Sequence, residues 1–86
     1  MSFEEERFRG VLEENHEWPT MYTFKFIVPS DKVEEIKKIL KSDEIIIRPS
    51  KKGNYFSFTC TKNMKSSDEI IAIYREASEI KGIISL

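Results

Sequence analysis

The segment Arg48–Thr61 constrains the fold of this chain more than any other. It opens with polar and basic residues typical of a tight turn. The turn also contains Gly53, which tolerates backbone angles that other residues avoid. From Tyr55 onwards apolar and polar side chains alternate, the period of a strand with one buried face. Pro49 has no amide hydrogen, so the short run 45–47 before it predicts a strand that lies at a sheet edge or ends at this proline. The segment therefore predicts a β-hairpin with a basic tip.

A second alternating segment, Tyr22–Val28, predicts the first strand of the same sheet. Apolar residues at helical spacing then predict a helix over about 32–41. Ser30 or Asp31 is its predicted N-cap, because either side chain can accept bonds from the free amides of the first turn.

Downstream of the hairpin the pattern predicts a second helix and a last short strand. Ser67 is the predicted N-cap of this helix, whose apolar stripe runs from Ile70 to Ile80. Gly82 suits a left-handed cap at its end. Residues 83–86 predict the final strand.

The element order β-α-β-β-α-β predicts an α+β, ferredoxin-like sandwich over residues 18–86, with a four-stranded antiparallel sheet and two helices on one face. Twelve residues from the buried stripes of these elements are expected in the core. They are Phe24, Phe26, Val28, Ile36, Leu40, Phe56, Phe58, Cys60, Ile70, Ile73, Tyr74 and Ala77.

Residues 1–17 precede this domain as a charged N-terminal arm. Its few apolar side chains, interrupted by Gly10, favour a short helix that lies on the domain or stays mobile. The alternative is a docking arm for another subunit. His16 is expected to be exposed in the arm, because a metal site needs several imidazole or thiolate partners at defined spacing.

Composition excludes several classes of protein. The 86 residues suit one small domain, and a net charge of −1 provides no global attraction to nucleic acid or to an anionic membrane. The sequence has neither a signal peptide nor an apolar run of transmembrane length. We therefore expect a cytoplasmic protein that binds neither nucleic acid nor membrane.

The residues also argue against catalysis. Cys60 alternates with polar neighbours and is expected to be a buried small hydrophobe, with no nearby base to make it a nucleophile. The carboxylates fall mostly on exposed helix faces, and acid–base chemistry would require a pair held in an apolar pocket. We expect no enzyme, no catalytic residue, no cofactor and no metal.

The basic hairpin is either a solvated turn or a contact for an acidic partner or ligand. Its polar and charged side chains are Arg48, Ser50, Lys51, Lys52, Asn54 and Tyr55. RNA binding is not favoured, because the open face of the predicted sheet is too poor in aromatic rings to stack bases. That face, or an edge strand, is a possible homodimer contact. Trp18, outside the core pattern, is expected to cover the sheet edge or to anchor a partner.

Two motifs resemble a known family. The segment 18–26, which begins Trp-Pro-Thr, is similar to the start of the first strand in the YbeD-like family of small uncharacterised bacterial proteins, the domain of unknown function 493. The segment 48–57 resembles the Pro-Ser-x-Lys-Gly-Asn-Tyr hairpin of that family, and Tyr74 and the apolar C-terminal strand also match. The resemblance implies a fold like that of ACT regulatory domains, which bind amino acids or pair side by side.

The leading hypothesis is a non-catalytic regulatory or protein-interaction module. Its expected surface combines the hairpin Arg48–Tyr55 with Trp18, taken to be its neighbour, as an apolar anchor. The alternative is an ACT-like sensor of an amino acid or another metabolite, with a site between subunits near the N-terminus of the first helix. The residues 28–31 contain no glycine of the kind that approaches such a ligand.

Overall fold

The computed structural model describes residues 4–42 and 44–86, which form three α-helices and one four-stranded sheet. The elements in chain order are α1 (Glu5–Asn15), β1 (Thr20–Pro29), a 3-10 turn (Ser30–Lys32), α2 (Val33–Leu40), β2 (Ile45–Pro49), β3 (Tyr55–Met64), α3 (Ser67–Ala77) and β4 (Ile84–Ser85). The sheet order is β2-β3-β1-β4, and all neighbours are antiparallel. This arrangement confirms the predicted ferredoxin-like fold class.

The long β1–β3 ladder forms the centre of the sheet. It pairs ten residues of each strand, from Thr20 with Met64 to Pro29 with Tyr55. Phe24, Phe26 and Val28 point to the helices and are completely buried. Alternation in both strands thus gives the sheet one apolar face, which the helices cover.

The core contains ten of the twelve predicted residues; Phe56 and Tyr74 are partly buried and pack against it. Four further hydrophobic residues are buried that the predicted core omitted: Leu12, Met64, Ile71 and Ile80. Met64 joins the core because β3 extends three residues beyond the predicted strand. Ile71, which lies beside the predicted apolar stripe, is only 1% exposed.

Helix α1 lies on the domain and contacts α3. Leu12 is buried, and the ring of Phe8 meets the ring of Tyr74 edge to face at 5.3 Å. The Glu5 carboxylate accepts a hydrogen bond from Nε of Arg75 at 3.0 Å, and Arg9 pairs with Asp68. Gly10 does not interrupt the helix. A narrow apolar stripe and two ion pairs therefore hold α1 in place.

The predicted N-cap of α2 is wrong. A 3-10 turn intervenes, so Lys32 occupies the N-cap position of α2, and no capping side-chain hydrogen bond forms there or at the start of the turn. The backbone amide of Ser30 instead donates to the carbonyl of Asn54 at 2.9 Å. The start of this segment is therefore fixed by the hairpin, and neither Ser30 nor Asp31 caps a helix with its side chain.

The N-cap of α3 is one residue earlier than predicted. Ser66 Oγ accepts a hydrogen bond from the amide of Glu69 at 3.3 Å, while the Glu69 carboxylate accepts one from the amide of Lys65 at 2.9 Å. Two amides at the start of α3 therefore have side-chain acceptors. Ser67 is the first helical residue and is buried.

Gly82 has the predicted left-handed conformation but does not cap α3. The helix ends at Ala77, and Gly82 lies in the turn before β4 with a φ of 84°. A Cβ at this position would lie 2.9 Å from Cγ of Pro29. The glycine is required by both the backbone angle and the close approach of the end of β1.

Candidate interaction surface

The hairpin between β2 and β3 is a tight, hydrogen-bonded turn with two lysines at its tip. The amide of Gly53 donates to the carbonyl of Ser50 at 3.0 Å, and the amide of Ser50 donates to the carbonyl of Tyr55 at 2.8 Å. Ser50 Oγ also accepts from the amide of Tyr55 at 3.3 Å. These bonds leave Lys51 and Lys52 as the two central residues of the turn, where their side chains project into solvent.

The members of the hairpin differ in their roles. Ser50 stabilises the turn itself, and the backbone of Asn54 joins the hairpin to the end of β1 through Ser30. Tyr55 is 45% exposed. Arg48 pairs with Ser57 in the sheet, so its exposed side chain shares a face with Ser57. The hairpin therefore presents three cations and an exposed aromatic ring.

These cations have no partners among the described residues. No ion pair or side-chain hydrogen bond involves Arg48, Lys51 or Lys52 within residues 4–42 and 44–86. In the helical layer, by contrast, Arg9 and Arg75 both bind carboxylates of another helix. The charge of the hairpin is thus available to a partner.

The structure does not bring Trp18 near the hairpin. Residue 20 begins β1, whereas Pro29, at the other end of the strand, pairs with Tyr55. Nine steps along a strand span about 30 Å. The prediction that Trp18 neighbours the hairpin is therefore wrong, because the two lie at opposite ends of the sheet.

Trp18 belongs to a different cluster. Its side chain is partly buried against the core, and its ring centroid lies 5.8 Å from that of His16. His16 also lies 5.9 Å from the ring of Tyr22 and 3.5 Å from Oγ1 of Thr20. The predicted exposed histidine is therefore partly buried, because α1 ends against the start of β1. The buried Nε1 of Trp18 has no hydrogen-bond partner among the described residues.

The face of the sheet opposite the helices is open. Alternate residues of every strand point to it, and Oγ1 of Thr23 and Oγ1 of Thr61 lie 2.8 Å apart across β1 and β3. Four of the seven exposed large hydrophobic residues among those described are placed on this face by the register. They are Met21, Ile46, Tyr55 and Ile84. The open face thus combines a polar centre with apolar margins.

An apolar groove of about 540 Å³ lies between α1, the end of α3 and the β4 edge. Phe8, Val11, Tyr22, Tyr74 and Leu86 contribute to its walls. The hydroxyl oxygens of Tyr22 and Tyr74 lie 3.1 Å apart. Burial raises the pKa of Tyr74, and its hydrogen bond to Tyr22 adds to this shift.

Three observations concern the cysteine, metal ligation and membrane spans in the described residues. Cys60 is completely buried and unpaired, as predicted. Within residues 4–42 and 44–86, no three His, Cys, Asp or Glu side chains lie close enough together to hold a metal ion. None of the helices described there has the length and apolar character needed to cross a membrane.

Residues 13–86 match the family described as Protein of unknown function (DUF493). The chain belongs to this family. The match confirms the resemblance carried by the strand start and the hairpin, and it extends back into α1. No curated protein and no solved structure gives a significant match. Membership in DUF493 therefore supplies a family without supplying a function.

Proposed function

We propose that this DUF493 chain is a non-catalytic regulatory module that acts by binding another protein through its basic hairpin. The observation that supports the proposal most strongly is the unpaired charge of Arg48, Lys51 and Lys52. In a chain with a net charge of −1, such a local concentration of cations favours an acidic partner and excludes basic ones.

The geometry of the hairpin also suits recognition. The turn is fixed by bonds within Ser50–Tyr55 and by the bond from Ser30 to Asn54, so little conformational entropy is lost when a partner binds. The exposed ring of Tyr55 adds apolar area beside the charges. Trp18 packs at the other end of the sheet and is not part of the proposed surface.

The experiment that tests the proposal is affinity capture from a bacterial lysate with the double variant Lys51→Glu, Lys52→Glu. The expected result is loss of a specific partner with unchanged thermal stability, because both side chains are exposed and unpaired. The matched control is Lys38→Glu with Lys81→Glu, which makes the same change of charge at exposed positions outside the hairpin. Equal capture by all three proteins would refute the proposal.

A small-ligand sensor is the second candidate, and the groove beside α1 is the observation that favours it. Its volume of about 540 Å³ falls within the range of small-molecule sites, and its walls are largely apolar. A ligand bound there stabilises the native state and raises the melting temperature in a metabolite screen. The variant Val11→Glu, at an exposed wall position, should abolish that rise while leaving hairpin-dependent capture unchanged.

A further inference from the structure

We infer that the open face of the sheet receives an acidic amphipathic helix from the partner. The inference rests on the proposed function and adds the chemistry and shape of the bound segment. Three observations carry it: the positions of the cations on this face, the positions of the isoleucines, and the saturated hydrogen bonding of the central strands.

The face is basic as well as partly apolar. The register places Lys25 and Arg48 on it, and neither side chain has an ion pair or hydrogen bond among the described residues. The strand residues on this face in the described chain include no Asp or Glu; Glu44, just before β2, borders a shallow depression with Thr59 and Thr61. Such a mixture of cationic and apolar groups is complementary to a partner surface that is both anionic and apolar.

These groups form a regular pattern across three strands. Arg48, Ser57 and Ile27 lie in one row across β2, β3 and β1, and Ile46, Thr59 and Lys25 lie in the next row. The cations occupy one diagonal of this rectangle and the isoleucines occupy the other. The small side chains of β3 leave a low centre between them.

The spacing of the cations matches a helix. With strands about 4.8 Å apart and rows about 6.7 Å apart, the Cα atoms of Lys25 and Arg48 are about 12 Å apart. Two helical turns advance about 11 Å, so carboxylates seven or eight residues apart can meet both cations. The apolar stripe between those carboxylates would then contact Ile46 and Ile27.

The backbone pairing of the central strands favours a helix over an extended segment as the bound partner. β3 is paired on both sides, with β1 and with β2, so an extended segment lying across this face would find few backbone groups to bond. A helix satisfies its own amides and carbonyls and needs only side-chain contacts. An extended segment would instead bind at a sheet edge.

The test uses a fluorescent, side-chain-stapled helical peptide of about 18 residues, long enough to span the face. It has a leucine stripe flanked by glutamates two turns apart. One control peptide replaces the glutamates with lysines, and another scrambles the sequence without changing its composition. Fluorescence anisotropy at low salt should show binding of the acidic helix and of neither control, and added salt should weaken the binding.

Variants of the protein locate the contact. The double variant Lys25→Glu, Arg48→Glu should weaken binding roughly tenfold, which corresponds to about 1.4 kcal/mol. Ile46→Ser should also weaken it, whereas the control Lys38→Glu, Lys81→Glu should have no effect. No binding, equal binding of the lysine or scrambled peptide, or a double variant that binds normally would overturn the inference.

Two further outcomes separate this inference from its alternatives. If the hairpin variant loses a captured partner but the acidic helix does not bind the open face, the adaptor proposal stands and the helical occupant is wrong. If sedimentation shows a dimer that Ile46→Glu converts to monomer, a second copy of the chain covers the face, and the inference is again wrong. Retention of binding after Lys51→Glu, Lys52→Glu, with no change in lysate capture, would refute the hairpin proposal alone.

Discussion

The two faces of the sheet are built from adjacent residues of the same strands, yet they differ in burial and in the pairing of nearby charges. Phe26 is completely buried under the helices, while its neighbour Ile27 lies on the open face and is only partly covered. The helical side also uses its charges internally, since Glu5 binds Arg75 and Arg9 binds Asp68. Arg48, on the open side, has no such partner among the described residues.

The difference indicates that stability depends mainly on the helical side, so that the binding proposed for the open face can be tested separately from stability. Substitutions on the helical side should change the free energy of unfolding, and substitutions on the open face should change binding while leaving stability nearly intact.

The largest expected effect comes from the buried aromatic residues of β1. Phe26→Ala should lower the free energy of unfolding by about 3–5 kcal/mol, because it leaves a cavity among fixed neighbours. Ile27→Ala should cost less than half as much. Urea denaturation of both variants measures the contrast, and equal losses would show that the open face is covered in the isolated protein.

The next effect concerns α1, the helix that the sequence predicted least well. Leu12→Ala should destabilise the protein by about 2–3 kcal/mol, since Leu12 is buried although it lies in the charged arm. Val11→Ala, one residue earlier and half exposed, is the matched control. A Leu12 variant as stable as the control in thermal unfolding would mean that α1 does not pack on α3 in solution.

Gly82→Ala tests the close contact between the last turn and the end of β1. A φ of 84° and a distance of 2.9 Å to Pro29 both oppose a side chain, so the expected loss is about 1–3 kcal/mol. Gly53→Ala has a similar φ of 75° but no neighbouring atom within 4 Å, and should cost less. The difference between the urea midpoints of the two variants measures the cost of the close contact with Pro29. Identical midpoints would show that this contact does not add to the cost of the backbone angle.

The regular elements were predictable from sequence because their signals are local and strong. The alternation of Tyr22–Val28 and of the strand after the hairpin determined which side chains are buried, and the family motif lies on the same hairpin. α1 was harder, because only Phe8 and Leu12 mark its apolar side and Gly10 weakens the pattern. Its packing on α3 is a tertiary contact that periodicity alone does not reveal.

Two errors had signals that were present in the sequence. Glu69 lies three residues after Ser66, so the capping pattern Ser-x-x-Glu distinguishes Ser66 from Ser67 as the N-cap of α3. An antiparallel pairing of the hairpin strand with β1 also places Tyr55 beside the end of β1 and Trp18 beyond its start.

Ser66→Ala gives a smaller effect that checks the corrected N-cap. Loss of the acceptor for the Glu69 amide should cost about 1 kcal/mol. Ser67→Ala, which removes no capping bond, should cost less. Chemical denaturation of the two variants decides between the positions, and a larger loss for the Ser67 variant would restore the original assignment.

The smallest expected effect is a pH dependence that arises on the helical side. The hydrogen bond from Arg75 lowers the pKa of Glu5 below its ordinary value of 4.5. A carboxyl group with a depressed folded-state pKa contributes stability above its unfolded pKa, and this contribution is lost as the pH falls through the folded value. Arg75→Gln should therefore flatten the acid side of a plot of stability against pH, whereas Lys81→Gln, at an exposed position, should leave it unchanged. If Arg75→Gln and Lys81→Gln change the acid side of the plot equally, the ion pair between Glu5 and Arg75 makes no measurable contribution to the free energy of unfolding.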